Sequence, residues 1–193
     1  MTYFVHYILI SVLISLSLAD NNDCQLPMMT GTLCSQIPSV RFHFDPVTGR
    51  CLAFRYNGCG GNGNNFVNVK DCHANCRALD QLHCPARSAP LKSTTGESLC
   101  GDRFGTCTQV NGYCHRGPDY GICCDKTIRD KVHQDHMKTC ENMTRKYSID
   151  VRGRQRVLIA KNCNTDFCPV GYQCTMGNYY AFCCKIRISE IFQ

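Results

Sequence analysis

The chain has 193 residues, of which 18 are cysteine and none is tryptophan, and its formal net charge is +6 at pH 7. So few aromatic residues (9%) do not predict one large hydrophobic core. An even number of cysteines in an exported chain predicts a disulfide framework rather than reduced thiols or metal ligands. The composition therefore favours small disulfide-stabilised domains, and we expect no cofactor, no bound metal and no nucleic-acid partner.

The first 19 residues are the uncharged apolar run MTYFVHYILISVLISLSLA. Small residues, Ser17 and Ala19, stand at the third and first positions before a cleavage point, as signal peptidase requires. The apolar core is short for a membrane span and no basic cluster follows it. We expect residues 1–19 to be a removed signal peptide and the mature protein to be secreted, extracellular and without a membrane partner.

Six cysteines form a first group, separated by 9, 16, 7, 12 and 3 residues: Cys24, Cys34, Cys51, Cys59, Cys72 and Cys76. The runs RFHFDPVTGRC and CLAFRYNGC alternate in polarity around a Pro-Val-Thr-Gly turn, which predicts a β-hairpin. Asn68 precedes VKDCHANCR and can cap a short helix that places two cysteines one turn apart.

The stretch FRYNGCGGNGNNF, from Phe54 to Phe66, resembles the Kunitz (pancreatic trypsin inhibitor-type) domain motif F-x-Y-x-G-C-G-G-N-x-N-N-F. The resemblance implies a Kunitz α+β domain over residues 20–80, and the CGGN form of the motif is commonest in secreted invertebrate proteins. It implies the disulfides Cys24–Cys76, Cys34–Cys59 and Cys51–Cys72. It also implies that Asn64 is the family's buried amide, bonded to backbone in place of a hydrophobic core.

Kunitz domains commonly inhibit serine proteases with a rigid, substrate-like loop, and the resemblance places that loop at Leu33, Cys34, Ser35, Gln36 and Ile37. Ser35 then enters the specificity pocket of the protease, and the reactive bond is Ser35–Gln36. A trypsin-like pocket requires Lys or Arg, whereas a short neutral hydroxyl suits a small, elastase-like pocket. We therefore expect a serine protease inhibitor that is not directed at trypsin.

The loop departs from the family pattern in three places. One extra residue lies between Gly31 and Cys34, about one more precedes Arg41, and Asn57 replaces a glycine that usually packs beneath the loop. These changes predict a looser loop.

The alternative function is a structural or adhesive protein of the extracellular matrix, such as cuticle, that uses its domains as binding scaffolds. A channel-blocking toxin is a more distant alternative.

Twelve further cysteines form an internal repeat. Cys84, Cys100, Cys107, Cys114, Cys123 and Cys124 correspond to Cys140, Cys163, Cys168, Cys174, Cys183 and Cys184. The pattern resembles the lustrin-like, worm-specific cysteine-rich repeat, here over residues 81–126 and 127–193. Sequence leaves the pairings open, although adjacent cysteines should not bond to each other because such a bridge strains the intervening peptide. The predicted fold class is a small disulfide-rich protein, with a Kunitz α+β domain and two mostly irregular or β repeats.

The second repeat contains YSIDVRGRQRVLIA, which predicts two short strands around an Arg152-Gly153-Arg154 turn. Its arginines could contact an acidic glycan or matrix polymer, but a net charge of +6 favours a solvated hairpin tip.

Asn142 begins a glycosylation sequon. His133, His136 and Cys140 could form a partial metal site, but their scatter in a polar connector favours solvated side chains. No catalytic motif is present, so we do not expect an enzyme.

Overall fold

The computed structural model describes residues 23–76, 82–141 and 143–187. The expected signal peptide at residues 1–19 and the sequon residue Asn142 lie outside the described residues. Within these ranges, no helix has both the length and the apolar character needed to cross a membrane. The elements in chain order are the 3₁₀ helix η1 (Asp23–Gln25), β1 (Thr32–Leu33), β2 (Ser39–Asp45), β3 (Arg50–Tyr56), β4 (Gly58–Cys59), helix α1 (Val69–Cys76), the 3₁₀ helix η2 (Pro85–Arg87), β5 (Leu99–Cys100), β6 (Gly112–Arg116), β7 (Gly121–Asp125), helix α2 (Lys126–His136), β8 (Ser148–Val151), β9 (Arg154–Val157), β10 (Ile159–Ala160), β11 (Tyr172–Met176) and β12 (Ala181–Lys185).

The first unit is the predicted hairpin with a helix bonded to it. Strands β2 and β3 pair antiparallel along their whole length. Asn68 caps α1, because its Oδ1 accepts the backbone N–H of Asp71 at 2.9 Å while its Nδ2 donates to the Asp71 carboxylate at 2.8 Å. The hairpin and the capped helix are therefore confirmed.

Asn64 holds the centre of this unit. Its Oδ1 accepts the backbone N–H of Phe44 at 2.7 Å, and its Nδ2 donates to the carbonyls of Phe44 at 2.9 Å and Leu26 at 2.8 Å. The side chain is buried, so these bonds replace the water that the amide gives up on folding.

All 18 cysteines form disulfides, nine in total. The first unit contains Cys24–Cys76, Cys34–Cys59 and Cys51–Cys72. Each later group of six bonds its first cysteine to its sixth, its second to its fourth and its third to its fifth. The bonds are Cys84–Cys124, Cys100–Cys114 and Cys107–Cys123, then Cys140–Cys184, Cys163–Cys174 and Cys168–Cys183. The prediction that adjacent cysteines are not bonded to each other is confirmed.

The two later groups also share a strand arrangement. The first forms a sheet of order β5-β7-β6, and in the second β10, β12 and β11 pair in the same order. Gly121 in the first sheet leaves room for the Cys100–Cys114 bridge, because a Cβ there would collide with the Sγ atoms of both cysteines. In the second sheet, Ala181 takes the register position that Gly121 has in the first. Its strand partner is Ala160 and not a cysteine, because the corresponding bridge starts further along the chain, at Cys163.

The first unit and the last group share one five-stranded sheet, of order β11-β12-β10-β3-β2. Strand β10 joins it by pairing parallel to β3 at Ala160 and Ala53. The core is continuous across this junction, because Phe42 and Phe44 pack in one cluster with Leu158 and Phe167. These regions are therefore one packed body, whereas the cysteine groups in the sequence suggest separate modules.

A helix replaces the polar connector expected between the two cysteine-rich groups. Asp125 caps α2 by accepting the backbone N–H groups of Thr127 and Ile128. Val132 and Asp135, one turn apart, are buried on one face of the helix. The rest of the helix is strongly polar, so the sequence shows no extended apolar periodicity that would predict a buried face.

Candidate protease-binding loop

The predicted loop, residues 33–37, lies exposed at the end of the β2–β3 hairpin. Strand β1 pairs with β4, which places Leu33 opposite Gly58 at the base of the loop. The Cys34–Cys59 disulfide ties the loop to the same strand. All five loop residues are exposed to solvent, and Ile37 reaches 87%. The arrangement is a protruding segment fixed by a covalent bond at its base.

Gly58 packs directly beneath the loop. Its φ is +115°, and a Cβ at this position would lie 2.8 Å from the carbonyl oxygen of Gln36 and 3.3 Å from Sγ of Cys34. Both the backbone conformation and the space therefore require glycine. Gly58 was not among the predicted loop residues, although its place immediately before a cysteine that braces the loop was an available signal.

Asn57 forms hydrogen bonds with the segment that immediately precedes the loop. Its backbone N–H donates to the carbonyl of Thr30 at 2.8 Å, and its side-chain Nδ2 donates to the carbonyl of Gly31 at 3.1 Å. The loss of a glycine at this position predicted a looser loop. In the structure the larger side chain supplies a hydrogen bond that a glycine lacks.

The backbone bends at Ser35 and Gln36. The N–H of Gln36 lies 3.4 Å from Sγ of Cys34, on the inside of this bend. Ser39 and Val40 already belong to β2, paired with β3. The extra residue that the sequence places before Arg41 is therefore accommodated in the loop and not in the strand.

The loop itself carries no charge, because residues 33–37 include no ionisable side chain apart from a bridged cysteine. The guanidinium of Arg41 points to the hairpin instead, 5.6 Å from the centre of the Tyr56 ring, with Nε donating to Ser39 at 3.2 Å. The loop thus offers a small hydroxyl at Ser35, with the apolar Leu33 and Ile37 two residues away on either side.

Two groups with shifted pKa values lie on β2, at its junction with the last cysteine-rich group and away from the loop. Burial is the main cause that lowers the pKa of His43. Burial alone would raise the pKa of Asp45, but hydrogen bonds from Thr48 and Lys161 and the charge of Lys161 lower it overall. The Lys161–Asp45 ion pair, at 3.0 Å, joins the two regions. We assign these groups to the junction and not to protease binding.

The residues considered as metal ligands do not form a donor set. Cys140 is bonded to Cys184, and Nδ1 of His136 lies 2.7 Å from the carbonyl oxygen of Val132. His133 is exposed on the same helix. Three sulfur atoms do lie within 4.8 Å of one another, but all belong to disulfides: Cys100, Cys107 and Cys123.

Comparison with known proteins identifies the first unit and extends beyond it. Residues 23–77 match the model of the Kunitz/bovine pancreatic trypsin inhibitor domain. The chain is 32% identical over 191 residues to the major allergen Ani s 1 of Anisakis simplex, covering 93% of this chain and 97% of the allergen. It is 28% identical over 167 residues to a BPTI/Kunitz inhibitor domain-containing protein of Caenorhabditis elegans, covering 84% of this chain and 89% of that protein.

A shorter match is confined to the first unit. The Kunitz-type serine protease inhibitor textilinin-3 of Pseudonaja textilis textilis is 46% identical over 57 residues, which are 30% of this chain and 66% of that inhibitor. The two long alignments, in contrast, also include the cysteine-rich region after the first unit. The chain belongs to the Kunitz/bovine pancreatic trypsin inhibitor domain family.

Proposed function

We propose that the protein is a secreted Kunitz-type serine protease inhibitor whose reactive bond is Ser35–Gln36. The observation that carries the proposal is the exposed loop at residues 33–37, held at its base by the Cys34–Cys59 bridge and underpinned by Gly58. A segment that is ordered before binding loses little conformational entropy in the complex, and this favours tight inhibition. The printed name of textilinin-3, a serine protease inhibitor, supports the same function.

The target is a protease with a small, neutral specificity pocket, of the elastase type. Ser35 presents no cation, so the buried carboxylate of a trypsin-like pocket would remain unpaired. Leu33 and Ile37, both strongly exposed, provide apolar contacts on either side of the reactive bond. Burial of these two side chains against a protease would supply part of the binding energy.

Inhibition constants of the full chain against elastase, chymotrypsin and trypsin test this proposal. We expect elastase to be inhibited most strongly and trypsin poorly. The variant Ser35→Arg should gain trypsin inhibition, whereas the matched control Val110→Arg, which adds the same charge at an exposed site outside the loop, should not. If Ser35→Arg has no effect on any of the three enzymes, Ser35 is not the specificity residue. Tight trypsin inhibition by the unaltered protein would contradict the proposed target class.

Residues 81–126 and 127–193 are, in this proposal, two copies of one lustrin-like module. Their common disulfide connectivity and strand order support it. Nine disulfides support export, because such a number persists only in an oxidising compartment. Expression in insect cells tests the remaining assignments. The secreted product should begin at Asp20, and peptide-N-glycosidase should reduce its mass if Asn142 carries a glycan; retention of residues 1–19 would contradict the signal peptide.

A further inference from the structure

A groove of about 470 Å³ runs between helix α1 and the β8–β9 hairpin. Its floor includes apolar side chains from both regions, among them Phe42 of β2 and Leu158. The Kunitz domain supplies one wall and the last cysteine-rich group supplies the other. The groove therefore exists only because these two regions are packed together.

Four cationic side chains line this groove: Arg50, Lys70, Arg152 and Arg156. Two histidines, His73 and His136, line it as well, and burial lowers the pKa of His136, which favours its neutral form. The described lining residues include no Asp or Glu. Arg50, Lys70, Arg152 and Arg156 form no ion pair within 4 Å with other described residues, so no direct salt bridge in this part of the protein competes with a ligand for them. Charges of one sign on the walls of a concave surface reinforce one another and attract anions.

The hairpin carries its arginines at defined places. Arg152 stands in the turn, with φ of +55°, next to Gly153. Arg156 lies on β9 and is exposed to solvent. The turn is anchored by the Asp150 carboxylate, which accepts the N–H of Gly153 at 3.1 Å. The two arginines are thus carried by an ordered hairpin, and their side chains are exposed to solvent, as the sequence predicted.

We propose that this groove binds a sulfated linear polysaccharide of the extracellular matrix. Sulfate groups at regular intervals along a chain match cations spread over two walls, and displacement of counterions drives such binding. The apolar floor can contact the C–H faces of sugar rings. Extracellular conditions, required by the nine disulfides, make a sulfated glycan a better match than a nucleic acid.

The groove and the reactive loop lie at opposite ends of strand β3. Arg50 begins the strand and Tyr56 ends it, next to the loop-supporting Asn57 and Gly58. Six residue steps at about 3.3 Å each separate the ends by roughly 20 Å. A bound glycan would therefore leave the loop free, and its binding does not depend on whether the loop inhibits a protease.

Surface plasmon resonance of the full chain on immobilised heparin, as a sulfated probe, tests the proposal. We expect saturable binding at about 0.15 M NaCl that weakens as salt is raised. The variant Lys70→Gln/Arg152→Gln/Arg156→Gln should bind at least about tenfold more weakly. The matched control Lys92→Gln/Arg103→Gln/Lys126→Gln removes three exposed charges outside the groove and should stay within about twofold to threefold of the unaltered protein.

Competition defines the ligand class. Soluble heparin oligosaccharides should displace the protein, whereas inorganic sulfate at equal sulfate concentration and unsulfated hyaluronan should not. Equal losses in the groove variant and the control would show that net charge alone drives binding, and would overturn the proposal. Absence of binding at about 0.15 M NaCl would overturn it too. Equal competition by duplex DNA would overturn the assignment to a sulfated glycan.

Discussion

Asp135 joins helix α2 to the turn between β11 and β12, and its removal should destabilise the protein strongly. Its Oδ2 accepts the backbone N–H groups of Tyr179 at 2.7 Å and Tyr180 at 3.1 Å. Its Oδ1 accepts the N–H of Asn178 at 2.8 Å. The residue is only 2% exposed, so Asp135→Ala leaves these donors without a partner at a site that water reaches poorly.

The magnitude follows from the number of donors that lose their partner. Asn178 is exposed and can bond to water, so two donors, those of Tyr179 and Tyr180, carry most of the cost. Each unsatisfied buried donor costs about 1–3 kcal/mol, which gives about 2–6 kcal/mol for the variant. For a chain of this size we expect the melting temperature to fall by roughly 5–20 °C.

Thermal unfolding followed by near-ultraviolet circular dichroism of the tyrosines measures this loss, since the chain has no tryptophan. Asp130→Ala is the matched control on the same helix. Its carboxylate is 56% exposed and pairs only with Arg129 among the described residues, so its removal should cost less than about 1 kcal/mol. Hydrogen exchange should accelerate at the amides of Tyr179 and Tyr180 in Asp135→Ala. Equal stability of the two variants would refute the role given to Asp135.

Three further predictions concern the Kunitz domain. Asn64→Ala should lower the free energy of unfolding in urea by about 2–4 kcal/mol, because it removes the partners of buried Phe44 backbone groups; a change under about 1 kcal/mol would contradict this. Because burial above all lowers the pKa of His43, the unfolded chain binds the proton first as pH falls. Stability should therefore decline below about pH 6.5, and His43→Gln should make the melting temperature less dependent on pH between about 7.5 and 5. Gly58→Ala should weaken elastase inhibition at least about tenfold, since its Cβ would press on Gln36; unchanged inhibition would show that the loop tolerates a shift.

Local features of the fold were readable from the sequence. Alternating polarity predicted the β2–β3 hairpin and the β8–β9 hairpin, and Asn68 predicted the start of α1. The signal in each case comes from residues close together in the chain, where spacing alone decides which side chains share a face. The buried amide of Asn64 was accessible only through the Kunitz resemblance, because its partners at Leu26 and Phe44 are distant in sequence.

Contacts between distant segments were not readable. Strand β10 has two residues, and the parallel pair of Ala160 with Ala53 has no distinctive sequence pattern. Asp135 meets a turn 43 to 45 residues later, and an Asp in a polar helix is typical of a solvated face. Leu52 illustrates the consequence: helix α2 covers it, so β3 is buried on both faces where its sequence predicted alternation.

The shared sheet determines which form of the protein is informative about inhibition. In the whole chain, β10 covers the edge of β3, and Val132 and Tyr180 cover Leu52. A fragment limited to residues 20–80 would expose that strand edge and an apolar surface to water, which destabilises the hairpin and favours association between copies. The same hairpin supports the loop through Asn57 and Gly58. Weak inhibition by the fragment would therefore reflect the loss of its supporting sheet, and only the full chain tests the loop itself.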